Sequence, residues 1–159
     1  MLIPQAPKAT VQGAAAKGPS RDAGLRSAPD RAPPRQVGAR KRVLLIEDDF
    51  MLRQHMAELL TEEGYHVSSA ADGADALLIL EREPLPAAII LDIVLPRMSG
   101  LTFREVQLES PMLRNIPTIV VSATTKRLDL ESLGFAAIIP KPAPFDKLAE
   151  ALAKLSPST

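Results

Sequence analysis

From Lys41 onward, short apolar runs alternate with stretches of helical periodicity. Val43-Leu44-Leu45-Ile46 is a continuous apolar run, as expected for a parallel strand buried on both faces. Leu52, Met56, Leu59 and Leu60 then follow i, i+4, i+7, i+8 spacing, which predicts a helix closed by Gly64. His66-Val67-Ser68-Ser69 predicts a second, weaker strand. A helix over about 74–82 carries Leu77, Leu78 and Leu80 and is ended by Pro84 and Pro86. Ala87-Ala88-Ile89-Ile90-Leu91 predicts a third buried strand that stops at Asp92. A third helix is expected from near Gly100, with Leu101, Phe103 and Val106 as its apolar positions, and Pro117 introduces a strand over Thr118-Ile119-Val120-Val121. A short helix over about 127–133, capped by Gly134, is followed by the strand Ala136-Ala137-Ile138-Ile139. The final helix, about 146–155, aligns Leu148, Leu152 and Leu155. Five βα units in alternation specify an α/β fold, with a parallel sheet covered by helices on both faces.

The first forty of the 159 residues follow no such pattern. They hold six of the fifteen prolines, four of the eight glycines and no aromatic residue. Such a segment buries too little apolar surface to offset its ordering entropy, so 1–40 is expected to be a disordered, basic, Pro/Ala/Gly-rich extension of a domain spanning 41–159. The chain's net charge is zero, but this hides an asymmetry: residues 1–40 carry seven basic and two acidic side chains, and the remainder carries a net −5. With no aromatics to stack on bases, the extension reads as a solvated tail more than as a nucleic-acid arm. The chain has no cysteine, which excludes disulfides, thiolate nucleophiles and cysteine-type zinc sites. No apolar run reaches the ~18 residues needed to span a bilayer, and a cytoplasmic protein is expected.

The polar residues of interest fall where the strands end. The first strand finishes in Glu47-Asp48-Asp49, the third in Asp92, the fourth in Ser122, and the fifth in Lys141 just beyond Pro140. In open α/β sheets the carboxyl ends of the strands form the binding crevice. Carboxylates crowded there repel one another, and a hard divalent cation such as Mg²⁺, which takes a few carboxylate or carbonyl oxygens plus water and phosphate oxygens, relieves the conflict. One carboxylate can then act as a nucleophile on a phosphoryl group, with a hydroxyl and a fixed cation as donors to its oxygens. Asp49, last of the acidic run, reads as a helix N-cap. His55 and His66 lack a third ligand and suggest no metal site.

These motifs resemble the receiver domains of bacterial response regulators. The resemblance rests on 43–49 (VLLIEDD), 91–100 (LDIVLPRMSG), Val121-Ser122-Ala123 and Lys141-Pro142, with Asp72-Gly73 and Gly134 in accord, and it runs from about 41 to 156. It implies a flavodoxin-like doubly wound sheet of order 2-1-3-4-5. It implies Asp92 as phosphoacceptor, direct Mg²⁺ ligation by Asp48 and Asp92, a backbone carbonyl ligand from Val94, and Glu47 acting through a metal-bound water. Ser122 and Lys141 would hold the phosphoryl oxygens, with small Ala123 leaving a path to them, and the Lys141-Pro142 bond would be cis. Two departures matter. Ile138 stands where many receivers carry a Tyr or Phe that moves on activation, and the stretch from Ser122 to Lys141 is shortened, so the fourth helix should be short or irregular.

The resemblance further implies a two-component or phosphorelay signalling module rather than an enzyme, one that at most catalyses its own phosphorylation and dephosphorylation. A sensor histidine kinase or a histidine phosphotransfer protein would supply the phosphoryl group. Only Ser156-Pro157-Ser158-Thr159 follows the last helix, so a stand-alone receiver is expected to signal by contact with a downstream protein or by onward phosphotransfer. A receiver piece of a hybrid histidine kinase and a non-phosphorylated pseudo-receiver are the alternatives. A haloacid-dehalogenase-like phosphatase is disfavoured, because it needs an acid two residues after the nucleophile and Val94 stands there. Neither a membrane nor nucleic acid is expected as a partner.

Overall fold

A computed structural model describes residues 39–123 and 130–155. The elements run β1 (Arg42–Ile46), α1 (Phe50–Glu62), β2 (His66–Ala70), α2 (Gly73–Arg82), β3 (Ala88–Leu91), α3 (Gly100–Glu109), β4 (Thr118–Ser122), a 3₁₀ turn (Glu131–Leu133), β5 (Ala137–Pro140) and α4 (Phe145–Leu155). All strand pairs are parallel, in the order β2-β1-β3-β4-β5. This is the doubly wound order that the resemblance implied.

Alternation within the strands divides the core. Val43, Leu45, Ile90, Val121 and Ile139 face Met56 and Leu60 of α1 and Leu148 and Leu152 of α4. Leu44, Ile46, Ile89 and Leu91 face Ala76 and Leu80 of α2 and Phe103 of α3. The interiors of the central strands, 43–46, 88–91 and 119–121, are therefore apolar throughout, because both of their faces are covered. β2 pairs only with β1, and its edge position explains its weaker apolar pattern.

Several ends differ from the sequence reading by a residue or two. α1 starts at Phe50, because the Asp49 side chain accepts from the Leu52 N–H at 3.0 Å and caps the helix as expected. Gly64, with φ of 97°, takes the left-handed conformation that ends α1. β5 is displaced by one residue and includes Pro140, whose register partner is Ser122.

Between β4 and β5 the described residues contain one 3₁₀ turn, closed by Gly134 at φ 62°. This agrees with a short or irregular fourth helix; the expected helix start, around 127, lies outside the described residues. Residues 1–38 and 156–159 lie outside them too, and with them all but the last two residues of the expected 1–40 extension.

The inward face of α3 departs from the sequence reading. Gly100, Phe103, Arg104 and Gln107 are buried, whereas Val106 is only half-buried. Arg104 donates to Leu133 O (2.9 and 3.0 Å), Gly134 O (3.0 Å), Gln107 Oε1 (2.7 Å) and Thr118 Oγ1 (3.2 Å), and stacks over Phe135 at 5.0 Å. Gln107 donates in turn to Leu113 O and Ile116 O. A single 3₁₀ turn presents carbonyls that no following helical turn satisfies, and the buried guanidinium supplies their donors.

Candidate functional site

The site forms where β1, β3, β4 and β5 end, and each of its side chains is placed by a strand terminus. Glu47 follows β1 directly and is buried; its neighbour Asp48 is exposed. Asp92 follows β3 and is buried. Lys141 follows β5, and its backbone N–H donates to Ser122 O at 2.8 Å, which ties the ends of β4 and β5 together. The Lys141-Pro142 peptide is cis, as the resemblance implied.

Lys141 Nζ lies 2.8 Å from Glu47 Oε2 and 2.8 Å from Asp92 Oδ2, bridging two buried carboxylates. The second oxygen of each is also bound: Glu47 Oε1 accepts from the Asp49 N–H at 3.2 Å, and Asp92 Oδ1 accepts from the Val94 N–H at 3.1 Å. Burial pushes the Glu47 carboxyl above its ordinary value and the charge of Asp92 adds to the rise, while Lys141 and the Asp49 N–H pull the other way. For Lys141, burial opposes the charged form, but its bonds to Asp92 and Glu47 outweigh it and the ammonium is held above its ordinary value. The lysine is thus a fixed cation.

Oxygen atoms of Glu47, Asp48 and Asp92 lie within 4.8 Å of one another, the one such acidic group among the described residues. An all-oxygen donor set with one exposed carboxylate and two buried ones suits a hard cation that keeps some of its water, which is the habit of Mg²⁺. One lysine cannot fully balance three carboxylates, so the chain's own charges favour a further cation. Ser122 is buried at the end of β4, and Val94 is exposed on the loop after β3. Both histidines are exposed and stand apart from this acidic group.

Three supports were not evident from the sequence. Arg53, one turn into α1, donates from Nη1 to Glu47 O at 2.6 Å and fixes the backbone that presents the acid pair. Gly100 sits so close to β3 that a Cβ there would lie 2.3 Å from Asp92 O and 2.7 Å from Ile93 Cα. Its own N–H donates to Ile93 O at 2.9 Å, folding the start of α3 against the end of β3. Arg97, on the intervening loop, pairs with Asp72 and Asp75 of the α2 start. Gly100, Phe103, Arg104 and Gln107 do share helical spacing, but an apolarity search passes over polar residues at inward positions.

Comparison with known proteins agrees with this architecture. A family model described as the response regulator receiver domain matches residues 43–153. The polar-differentiation response regulator DivK of Brucella anthropi is 32% identical over 115 residues, covering 70% of this chain and 93% of DivK. Response regulator RR06 of Streptococcus pneumoniae is 41% identical over 81 residues, 51% of this chain but only 36% of RR06. The chain thus spans little more than a third of RR06. Among solved structures, the response regulator TrrA of Thermotoga maritima, in complex with Mg²⁺-BeF, superposes with a TM-score of 0.65 at 31% identity, covering 73% of this chain and 99% of TrrA. None of the described helices is long and apolar enough to cross a membrane. A matched family model, a relative similar over nearly its whole length, and a sheet of order 2-1-3-4-5 carrying its acids and lysine at the strand ends establish that this chain belongs to the response regulator receiver family.

Proposed function

We propose that this chain accepts a phosphoryl group on Asp92 from a histidine kinase or histidine phosphotransfer protein, and passes the signal on by protein–protein contact or onward phosphotransfer as a stand-alone receiver. The observation that carries this reading is Lys141 Nζ at 2.8 Å from Asp92 Oδ2, in a crevice where three carboxylates converge.

Asp48, Asp92 and the Val94 carbonyl would hold Mg²⁺, with Glu47 acting through a water. When bound, the cation neutralises the carboxylates and the charge that develops on the transferring phosphoryl oxygens. An Asp92 carboxylate oxygen attacks the phosphorus; the donor's N–P bond breaks and its electron pair stays on the imidazole nitrogen. Lys141 is drawn to the phosphoryl oxygens, and Ser122 donates to one of them. The Val94 N–H keeps the other carboxylate oxygen in place. Val94 at the second position after Asp92 supplies no proton, so the acyl phosphate is not turned over by a built-in acid as in a phosphatase.

Labelling with a small acyl phosphate in the presence and absence of Mg²⁺ tests the reading. Label that needs Mg²⁺, is released by hydroxylamine and is lost in Asp92→Asn is the expected result. Undiminished labelling of Asp92→Asn would overturn the assignment.

A further inference from the structure

Asp72 caps α2, its Oδ1 accepting from the Asp75 N–H at 2.9 Å, and its side chain is fully buried. Its Oδ2 is also buried and receives no hydrogen bond of good geometry; its counter-ion is the guanidinium of Arg97. Arg97 reaches Asp75 as well, at 3.6 Å. Arg97 has φ of 59° and is the one non-glycine residue with positive φ among the described residues. A long L side chain in the left-handed region is strained, and such a conformation persists only where its surroundings over-determine it. Met98 adds a second attachment: a Cβ on Gly73 would lie 2.9 Å from its Cγ and sulfur. The β3–α3 loop is thus held at Gly100 against β3 and at Arg97 and Met98 against the start of α2.

We propose that Arg97 and Asp72 are positioning residues that latch the β3–α3 loop, so that the backbone of Val94 faces the acidic crevice ready for Mg²⁺. The inference rests on the reading of the Val94 carbonyl as a metal ligand. The latch lies outside the acid, hydroxyl and lysine set and acts only through the loop backbone. The exposed arginine contributes a charge to a buried carboxylate, and in return the carboxylate keeps the loop in a conformation its sequence would not choose. Supports behind a ligand shape affinity because they remove the cost of ordering it at the moment of binding.

Two measurements on the full chain test this. Amide exchange of Val94–Gly100 in metal-free protein reports the latch itself, and Mg²⁺ titration by calorimetry reports its consequence. Arg97→Ala should speed exchange in this loop and raise the Mg²⁺ dissociation constant about tenfold, the lower end of what lost support behind a ligand costs. Arg97→Lys, which keeps a cation for Asp72, should stay near wild type. Arg97→Gly relieves the strained backbone yet removes the cation, so its metal affinity should match that of Arg97→Ala even if it melts higher. Asp72→Asn combined with Arg97→Ala should be no worse than the weaker single variant. Wild-type loop exchange and wild-type affinity in Arg97→Ala would overturn the latch. A wild-type chain with no saturable Mg²⁺ binding, like Asp48→Asn, would instead overturn the metal reading, and loop exchange would still decide whether the latch exists.

Discussion

The Lys141 ammonium bridges Asp92 Oδ2 and Glu47 Oε2 at 2.8 Å each, so two carboxylates that are themselves almost out of water share one cation. Removing it has consequences for both stability and chemistry. Lys141→Met should lower stability in Mg²⁺-free buffer by ~3 kcal/mol, because two buried anions lose their counter-ion. Mg²⁺ should narrow that gap by taking the lysine's electrostatic place. Phosphorylation by a small acyl phosphate should slow by about a hundredfold, the usual scale for losing one fixed donor at a developing charge. Urea denaturation with and without Mg²⁺, together with single-turnover labelling, would check all three.

Gly100 tolerates no side chain. A Cβ would meet Asp92 O at 2.3 Å and Ile93 Cα at 2.7 Å, and both are backbone atoms of the strand end and so cannot turn away. Gly100→Ala should therefore cost ~2 kcal/mol or more in a denaturant titration, at the upper part of the overpacking range. It should also displace Asp92 and reduce labelling beyond what the stability loss explains.

Arg104 is the buried donor for the turn before β5. Arg104→Met keeps the stem volume but leaves the Leu133 and Gly134 carbonyls without these bonds, so a loss of ~3 kcal/mol is expected. Arg104→Lys should recover part of it. Faster amide exchange at the start of β5, with β1 unaffected, would localise the effect.

Asp49→Ala should cost ~1 kcal/mol through the lost cap of α1. It should leave Mg²⁺ affinity close to wild type, since the side chain accepts from Leu52 N and is not among the clustered acids. A metal affinity that falls as far as in Asp48→Asn would show that Asp49 is a ligand after all.

Glu83 gives a pH-dependent test away from the site. The Ser68 hydroxyl and the Arg42 guanidinium, 2.8 Å away, hold its carboxyl below the ordinary 4.5. A depressed carboxyl adds stability above its unfolded pKa and loses it as pH falls through the folded one. Wild type should therefore melt above Glu83→Gln at neutral pH. The difference should shrink as pH drops below 4.5 and vanish below the folded pKa. A constant difference across that window would mean that packing, not charge, accounts for the pair.

Sequence alone determined the five strands and the four α-helices, because buried parallel strands need apolar interiors and the helices that cover them must carry an apolar stripe. It also placed Glu47, Asp48, Asp92, Ser122 and Lys141 at strand ends, since polar residues that stop an apolar run mark where the sheet meets solvent. Tertiary structure decided what depends on neighbours remote in sequence. Lys141 and Glu47 are 94 positions apart and meet only because β5 and β1 run parallel and end on the same side of one sheet. Arg104 and Gln107 sit at inward positions that periodicity alone would assign to apolar residues, and the carbonyls they bind explain their burial: Leu133 and Gly134 before β5 for Arg104, Leu113 and Ile116 before β4 for Gln107. Arg97 reads in sequence as an ordinary surface cation. Its strained backbone and its pairing with a buried Asp72 are set by how closely the β3–α3 loop packs on α2, which no local pattern records.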